Sequence, residues 1–205
     1  MSKLVVTTFV TVDGVYQAPG GPEEDRSGGF AHGGWLAPHF DEATGAFMGD
    51  VFRRAGSFLL GRRTYEIFAG YWPQVTDEEN PVASALNRLP KYVASRSLEK
   101  AEWEHSTVIR DVASEVAALK EQEGDELQVH GSGNLVRTLL EHELVDVYNV
   151  LVFPVVLGAG KRLFPEGVTP TGLRLTNSQA TEKGVVILSY EYAGKPTYGT
   201  VGVDV

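Results

Sequence analysis

The 205-residue chain has no cysteine. Disulfides, thiolate metal sites and a cysteine nucleophile are therefore excluded. Basic residues are scarce, 18 Lys and Arg against 27 Asp and Glu, for a formal net charge of −9. That balance argues against nucleic acid or an anionic membrane as partner. Long apolar runs are missing as well. The start, Met1-Ser2-Lys3-Leu4-Val5-Val6, passes into a strand without the apolar core of a secretion signal, and no stretch reaches the length of a membrane span. A cytoplasmic protein is expected.

Several motifs stop short of completion. Gly131-Ser132-Gly133-Asn134-Leu135-Val136 lacks the third glycine of a dinucleotide fingerprint, and some 20 residues on lies Leu151 where an acidic ribose ligand belongs. Gly158-Ala159-Gly160-Lys161-Arg162 lacks the earlier glycine and the hydroxyl residue of a P-loop. Ser132 follows Gly131 directly, which is not the elbow of a hydrolase nucleophile. The five histidines (His32, His39, His105, His130 and His142) have no metal-ligand spacing, so no metal is expected.

What is present is a pair of glycine-punctuated junctions, Leu59-Leu60-Gly61-Arg62-Arg63-Thr64-Tyr65-Glu66 and Val129-His130-Gly131-Ser132-Gly133-Asn134-Leu135. Each joins an apolar run to an amphipathic stretch. Each thus presents backbone N–H groups and a positive helix end where a strand finishes, which suits a phosphate. A third polar strand end, Ser95-Arg96, lies between them, so a dinucleotide with several phosphates is the expected ligand. Arg62 and Arg63 sit at the helix end that disfavours cations. Either an anion compensates them, or they reach carboxylates such as Glu66.

Along the chain, strands are expected at residues 4–12, 57–60, 91–94, 106–109, 126–130 and 145–156, the last bent near Pro154, with a closing pair at 173–180 and 184–192. Helices are expected at 41–55, 62–70, 76–89, about 112–124 and 132–142. Residues 16–34 are too rich in Gly, Pro and charge for core, and so long a loop carries function or is disordered. Strand and helix alternate up to about Leu144 and only strands follow. That order predicts one α/β domain over residues 1–205, with a mostly parallel mixed sheet and an antiparallel C-terminal edge.

In order and spacing these pieces resemble the dihydrofolate reductase-like superfamily, in particular its branch related to the reductase domain of bifunctional riboflavin-biosynthesis proteins. The resemblance runs through Val12-Asp13-Gly14, Gly34-Trp35, Gly61 to Glu66, Tyr92 to Arg96, His130 to Leu135 and Pro154 to Gly158. It implies a three-layer α/β/α fold and NADPH as cofactor. Gly61, Arg62, Arg63 and Thr64 would meet cofactor phosphates, Ser95 and Arg96 the 2′-phosphate, and Gly131, Ser132, Gly133, Asn134 and Leu135 the pyrophosphate. Asp13 and Trp35 would line the substrate side, with Asp41 as proton source, although Asp41 also reads as a helix cap. The implied activity is reduction of a small pterin- or pyrimidine-like or carbonyl-like substrate. A non-catalytic NADP(H)-binding sensor of the same fold is the alternative. A homodimer is expected, because the run Val145 to Val156 and the late strand pair would leave edges for a partner to cover.

Overall fold

The computed structural model describes residues 1–77 and 79–202. The eight strands among them are β1 (Leu4–Thr11), β2 (Ala55–Gly61), β3 (Lys91–Ala94), β4 (Ser106–Ile109), β5 (Glu126–His130), β6 (Val147–Phe153), β7 (Leu173–Ala180) and β8 (Val186–Tyr192). They form one sheet in the order β4-β3-β2-β5-β1-β6-β8-β7. β1 to β6 pair in parallel, whereas β8 runs antiparallel to β6 and β7 antiparallel to β8. Five α-helices among the described residues pack on it: α1 (Glu42–Arg53), α2 (Arg62–Tyr71), α3 (Pro81–Arg88), α4 (Val112–Glu121) and α5 (Gly133–Glu141).

The layers follow from the apolar positions of each element. Met48 and Phe52 of α1, Tyr65 of α2 and Leu86 of α3 pack with Phe58, Leu60 and Val93 on one face of the sheet. Val116 of α4 and Leu135, Val136 and Leu139 of α5 pack with Leu4, Val6, Leu59 and Val129 on the other. A sheet covered on both faces needs central strands that are apolar throughout. Seven of the eight β1 residues are accordingly buried.

One polar line crosses this sheet. The Thr7 hydroxyl donates to Gln128 Oε1 (3.1 Å) and accepts from Asn149 Nδ2 (3.2 Å), and the Ser189 hydroxyl donates to Asn149 Oδ1 (2.8 Å). Thr7, Asn149 and Ser189 stand side by side on β1, β6 and β8, and Gln128 on β5 reaches Thr7 diagonally from two positions away, so a slip of any strand would leave buried polar atoms unpaired. The line therefore fixes register.

Two expectations need correction. The third helix starts at Pro81, not at residue 76. Asn80 accepts hydrogen bonds from the N–H groups of Val82 and Ala83, and a residue before proline is driven away from helical backbone. The apolar run Val147–Phe153 is no edge, because β1 and β8 pair with it on either side. The edges are β4 and β7, and all eight residues of β7 are open to solvent.

Lys91 is fully buried on β3. Its ammonium donates to the Leu86 and Leu89 carbonyls (2.7 and 3.0 Å) at the end of α3 and lies 4.4 Å from the Trp103 ring centroid. Those carbonyls and the helix dipole give a buried cation its partners, although burial still lowers its pKa to about 8.

Candidate active site

β5 stops early. Its last residue, His130, pairs with Thr7, while β1 continues to Thr11. The sheet therefore opens on that side of β1, beyond the carboxyl ends of β2, β3 and β5. This is the place where open α/β sheets bind ligands. A cleft of about 1450 Å³ fills the opening. That exceeds the ~300–1,000 Å³ usual for one small ligand, leaving room for two molecules side by side.

All eleven residues predicted to hold phosphates line this cleft: Gly61, Arg62, Arg63, Thr64, Ser95, Arg96, Gly131, Ser132, Gly133, Asn134 and Leu135. The two glycine junctions are tied to each other. Ser132 Oγ accepts from the Gly61 N–H (3.0 Å) and donates to Thr64 Oγ1 (2.9 Å). Gly131 (φ +54°) and Ser132 (φ +55°) are both left-handed, which turns the chain sharply from β5 into α5.

The helix starts divide into two kinds. α1 is capped by Asp41, α3 by Asn80 and α4 by Asp111. α2 and α5, the two that open on the cleft, have no side-chain cap. Their first N–H groups are left for other acceptors. One of them, that of Gly133, meets the Tyr16 hydroxyl, whose pKa is raised by burial. The Tyr16 ring lies so close that a Cβ on Gly133 would fall 2.5 Å from it.

The arginines differ in how firmly they are held. Arg62 pairs with Glu66 (2.7 Å) and donates to Ser97 Oγ (2.8 Å), both at the surface. Such an exposed pair contributes about 0–1 kcal/mol, so an incoming anion displaces it easily. Arg63 pairs not with Glu66 but with Asp25 (2.7 Å). Arg110 donates to the Ser95 and Leu98 carbonyls. Arg96 is exposed at the end of β3 and has no ion pair among the described residues.

The loop at residues 16–34 forms a wall of the cleft and is organised by two side chains. Gln17 donates to the Asp25 and Ser27 carbonyls (3.0 Å each) and accepts from the Lys161 N–H (3.0 Å). Asp25, nearly buried, binds Arg63 and Lys161 at 2.7 Å each. Burial alone would raise its pKa, but the Lys161 and Ser27 hydrogen bonds outweigh that and hold it at about 2.

Three predicted substrate-side residues lie outside the cleft. Asp41 caps α1, accepting from the Thr44 N–H (2.9 Å) and hydroxyl (2.7 Å) and from the Lys183 N–H (3.2 Å). The Thr181 hydroxyl and these donors hold its carboxyl well below the usual carboxylate range. Its place in the structure is that of the helix cap, the other reading its sequence position allowed. Trp35 is buried edge-to-face on Phe153, with its indole N–H on the Gln17 carbonyl (2.8 Å). Asp13 accepts from the Thr11 hydroxyl (2.6 Å) and from the N–H groups of Leu157 and Gly158. These bonds, that of Thr11 foremost, lower its pKa to about 2 and fasten the end of β1 to the segment after β6.

His130 was not among the predicted site residues, yet it lines the cleft. Its ring lies flat on Phe52, with centroids 4.8 Å apart and planes 2° apart. It is 6% exposed, and Nε2 has no hydrogen-bond partner among the described residues. Burial lowers its pKa to about 4, so the ring is neutral at neutral pH.

A doubly covered, mostly parallel sheet with uncapped helix starts around a cleft at its switch point defines an α/β fold of dihydrofolate reductase type. Within it, residues 2–187 match the RibD C-terminal domain, and the chain belongs to that family. Among curated proteins it is 27% identical over 147 residues to the uncharacterized protein YyaP of Bacillus subtilis (strain 168), covering 71% of this chain and 78% of that one. Among solved structures it is similar to a putative riboflavin biosynthesis protein from Shewanella sp. PV-4 (TM-score 0.70, 18% identity, 94% of this chain and 99% of that one). It is also similar to a diaminohydroxyphosphoribosylaminopyrimidine deaminase/5-amino-6-(5-phosphoribosylamino)uracil reductase from Thermotoga maritima (TM-score 0.60, 14% identity), spanning 94% of this chain and 57% of that one. No helix among the described residues is long and apolar enough to cross a membrane.

Proposed function

We propose that the chain is a cytoplasmic, NADPH-dependent reductase of a small pyrimidine-like or other conjugated ring substrate. The observation that carries this reading is the contrast between capped and uncapped helices. Of the five α-helices among the described residues, only α2 and α5 have no side-chain N-cap, and Ser132 holds these two starts side by side. The pair suits the linked phosphates of a dinucleotide. Gly61 to Thr64 and Gly131 to Leu135 would hold the pyrophosphate, with Arg62 released from Glu66. Ser95 and Arg96 would meet the 2′-phosphate. NADPH bound there supplies a hydride to a C=N or conjugated C=C carbon. The wall residues orient the partners and exclude bulk water, and a proton from solvent completes the two-electron reduction.

Calorimetric titration with NADPH and NADH in parallel tests the reading. Micromolar NADPH affinity with much weaker NADH affinity is expected. Binding of neither would remove the reductase function and leave the fold standing.

The reading includes a homodimer. β7 is an edge strand with Leu173 and Leu175 38% and 49% exposed, and an unprotected edge of that kind invites a second strand. Light scattering at micromolar concentration is expected to give twice the 22.3 kDa chain mass. A monomer would remove the dimer from the proposal.

A further inference from the structure

The turn that follows β3, Ser95 to Leu98, carries Arg96 in the wall of the cleft. Three side chains set its shape. The Ser95 hydroxyl oxygen accepts from the Leu98 N–H (3.0 Å), which closes the turn from within. Arg62, at the start of α2, donates to Ser97 Oγ (2.8 Å). Arg110, just past β4, donates to the Ser95 carbonyl (2.6 Å) through one guanidinium nitrogen and to the Leu98 carbonyl (2.5 Å) through the other.

The two arginines hold the turn in different ways. Arg62 makes one bond, to an exposed hydroxyl, and its guanidinium is among those that a pyrophosphate would draw away. Arg110 spans the turn with a planar fork whose N–H groups are fixed relative to each other, which a lysine ammonium cannot reproduce. When Arg62 turns to a phosphate, Arg110 keeps the turn's backbone in place. It also faces two carbonyl oxygens that would otherwise be free to repel an anion. Its own backbone is anchored, because Glu115 of α4 accepts from the N–H groups of Arg110 (2.7 Å) and Asp111 (2.8 Å).

The charges point the same way. Neither Arg96 nor Arg110 pairs with a carboxylate among the described residues, although the chain carries a net charge of −9. Arg110 rests on the carbonyl of the residue just before Arg96, so one turn gathers two uncompensated cations. An anion in the cleft would relieve them.

We propose that Arg110 is a positioning residue for cofactor selectivity. Its role, which rests on the NADPH reading, is to hold the turn at Ser95 to Leu98 so that Arg96 meets the 2′-phosphate. Arg110 acts through Arg96 and is not itself a phosphate ligand.

Calorimetric titrations with NADPH and NADH test this on the unmodified chain, Arg110→Met, Arg110→Lys, Arg96→Ala and the Arg110→Met/Arg96→Ala double variant. In Arg110→Met the preference for NADPH over NADH is expected to fall about tenfold, the scale of one hydrogen bond lost. NADH affinity should stay within about twofold, as the check on folding. Arg110→Lys keeps the charge but not the fork, and should lose as much. Added to Arg96→Ala, Arg110→Met should change the preference less than about twofold, because a residue acting through Arg96 has nothing left to act on. Amide hydrogen exchange of the free Arg110→Met chain should quicken at Leu98 and stay unchanged in the central strands.

An unchanged preference in Arg110→Met overturns the proposal, as does unchanged exchange at Leu98. Full preference in Arg110→Lys overturns it too, because charge alone would then suffice. Additive losses in the double variant would make Arg110 a direct ligand, and equal losses for both nucleotides would make it merely structural; either result overturns positioning. In all these cases the unmodified chain still prefers NADPH, and the reductase reading stands. Equal affinity of the unmodified chain for NADPH and NADH overturns the proposal together with the 2′-phosphate site and leaves the dinucleotide site. Binding of neither nucleotide removes the reductase reading and this proposal with it.

Discussion

Arg96→Ala is expected to weaken NADPH binding about 10- to 100-fold while NADH binding changes less than about twofold. The magnitude is that of a hydrogen bond to a charged group, about 1.5–3 kcal/mol, at 1.4 kcal/mol per tenfold. The prediction falls on Arg96 because it is exposed in the cleft wall and pairs with no carboxylate among the described residues. Arg110, nearby, commits its guanidinium to the Ser95 and Leu98 carbonyls. Because no ion pair among the described residues depends on Arg96, the variant should fold normally, and parallel titrations with the two nucleotides give a clean ratio. Equal losses for both would take Ser95 and Arg96 out of the 2′-phosphate site.

The second large effect is on stability against pH. His130 titrates at about 4 when folded because of burial, against 6.5 ordinarily. Between these values the unfolded chain binds a proton that the folded chain refuses. Stability from this group is therefore complete above about pH 6.5, falls as the pH drops towards 4 and is level below that. The gap corresponds to about 3 kcal/mol. Asp13 and Asp25 titrate at about 2, so their contributions remain largely intact through this window and are lost under more acid conditions. Urea unfolding of the intact chain at intervals from pH 4 to 7 should show the slope, and His130→Phe should flatten it. The same slope in both proteins would mean that other groups cause it.

Arg96 and His130 differ in how far the sequence reveals them. Arg96 was legible because its place depends on local pattern. A short apolar strand ends in polar residues, and a parallel sheet puts every such end on the same side. By the same logic the glycines of both junctions marked where the chain must turn. All the residues so predicted line one cleft. His130 stands within the second junction, but nothing in its neighbours reveals an unpaired nitrogen. That requires knowing that β5 ends there and that Phe52, from a different element, covers the ring.

Asp41, Trp35 and Asp13 show the opposite case, for none of them lines the cleft. Each has the residue type and the place in the chain that catalysis would use. Each instead holds the fold together locally, Asp41 as a cap, Trp35 by edge-to-face packing and Asp13 at a turn. A carboxylate or an indole serves both purposes, and only its partners decide between them. Asp25 was hidden for a related reason. It lies in the polar loop at 16–34, and its cations, Arg63 and Lys161, are distant from it in sequence.

The sequence by itself determined the α/β class, the parallel sheet with its antiparallel edge, and the two glycine junctions that line the cleft. These depend on periodicity, turn chemistry and backbone geometry, all of which act over a few residues. The tertiary structure alone decided which strands became the edges, which carboxylates became caps, how the loop closed on Arg63, and that Phe52 covers the His130 imidazole. Those outcomes depend on contacts between residues far apart in the chain, where burial and partner choice, rather than local preference, set the free energy.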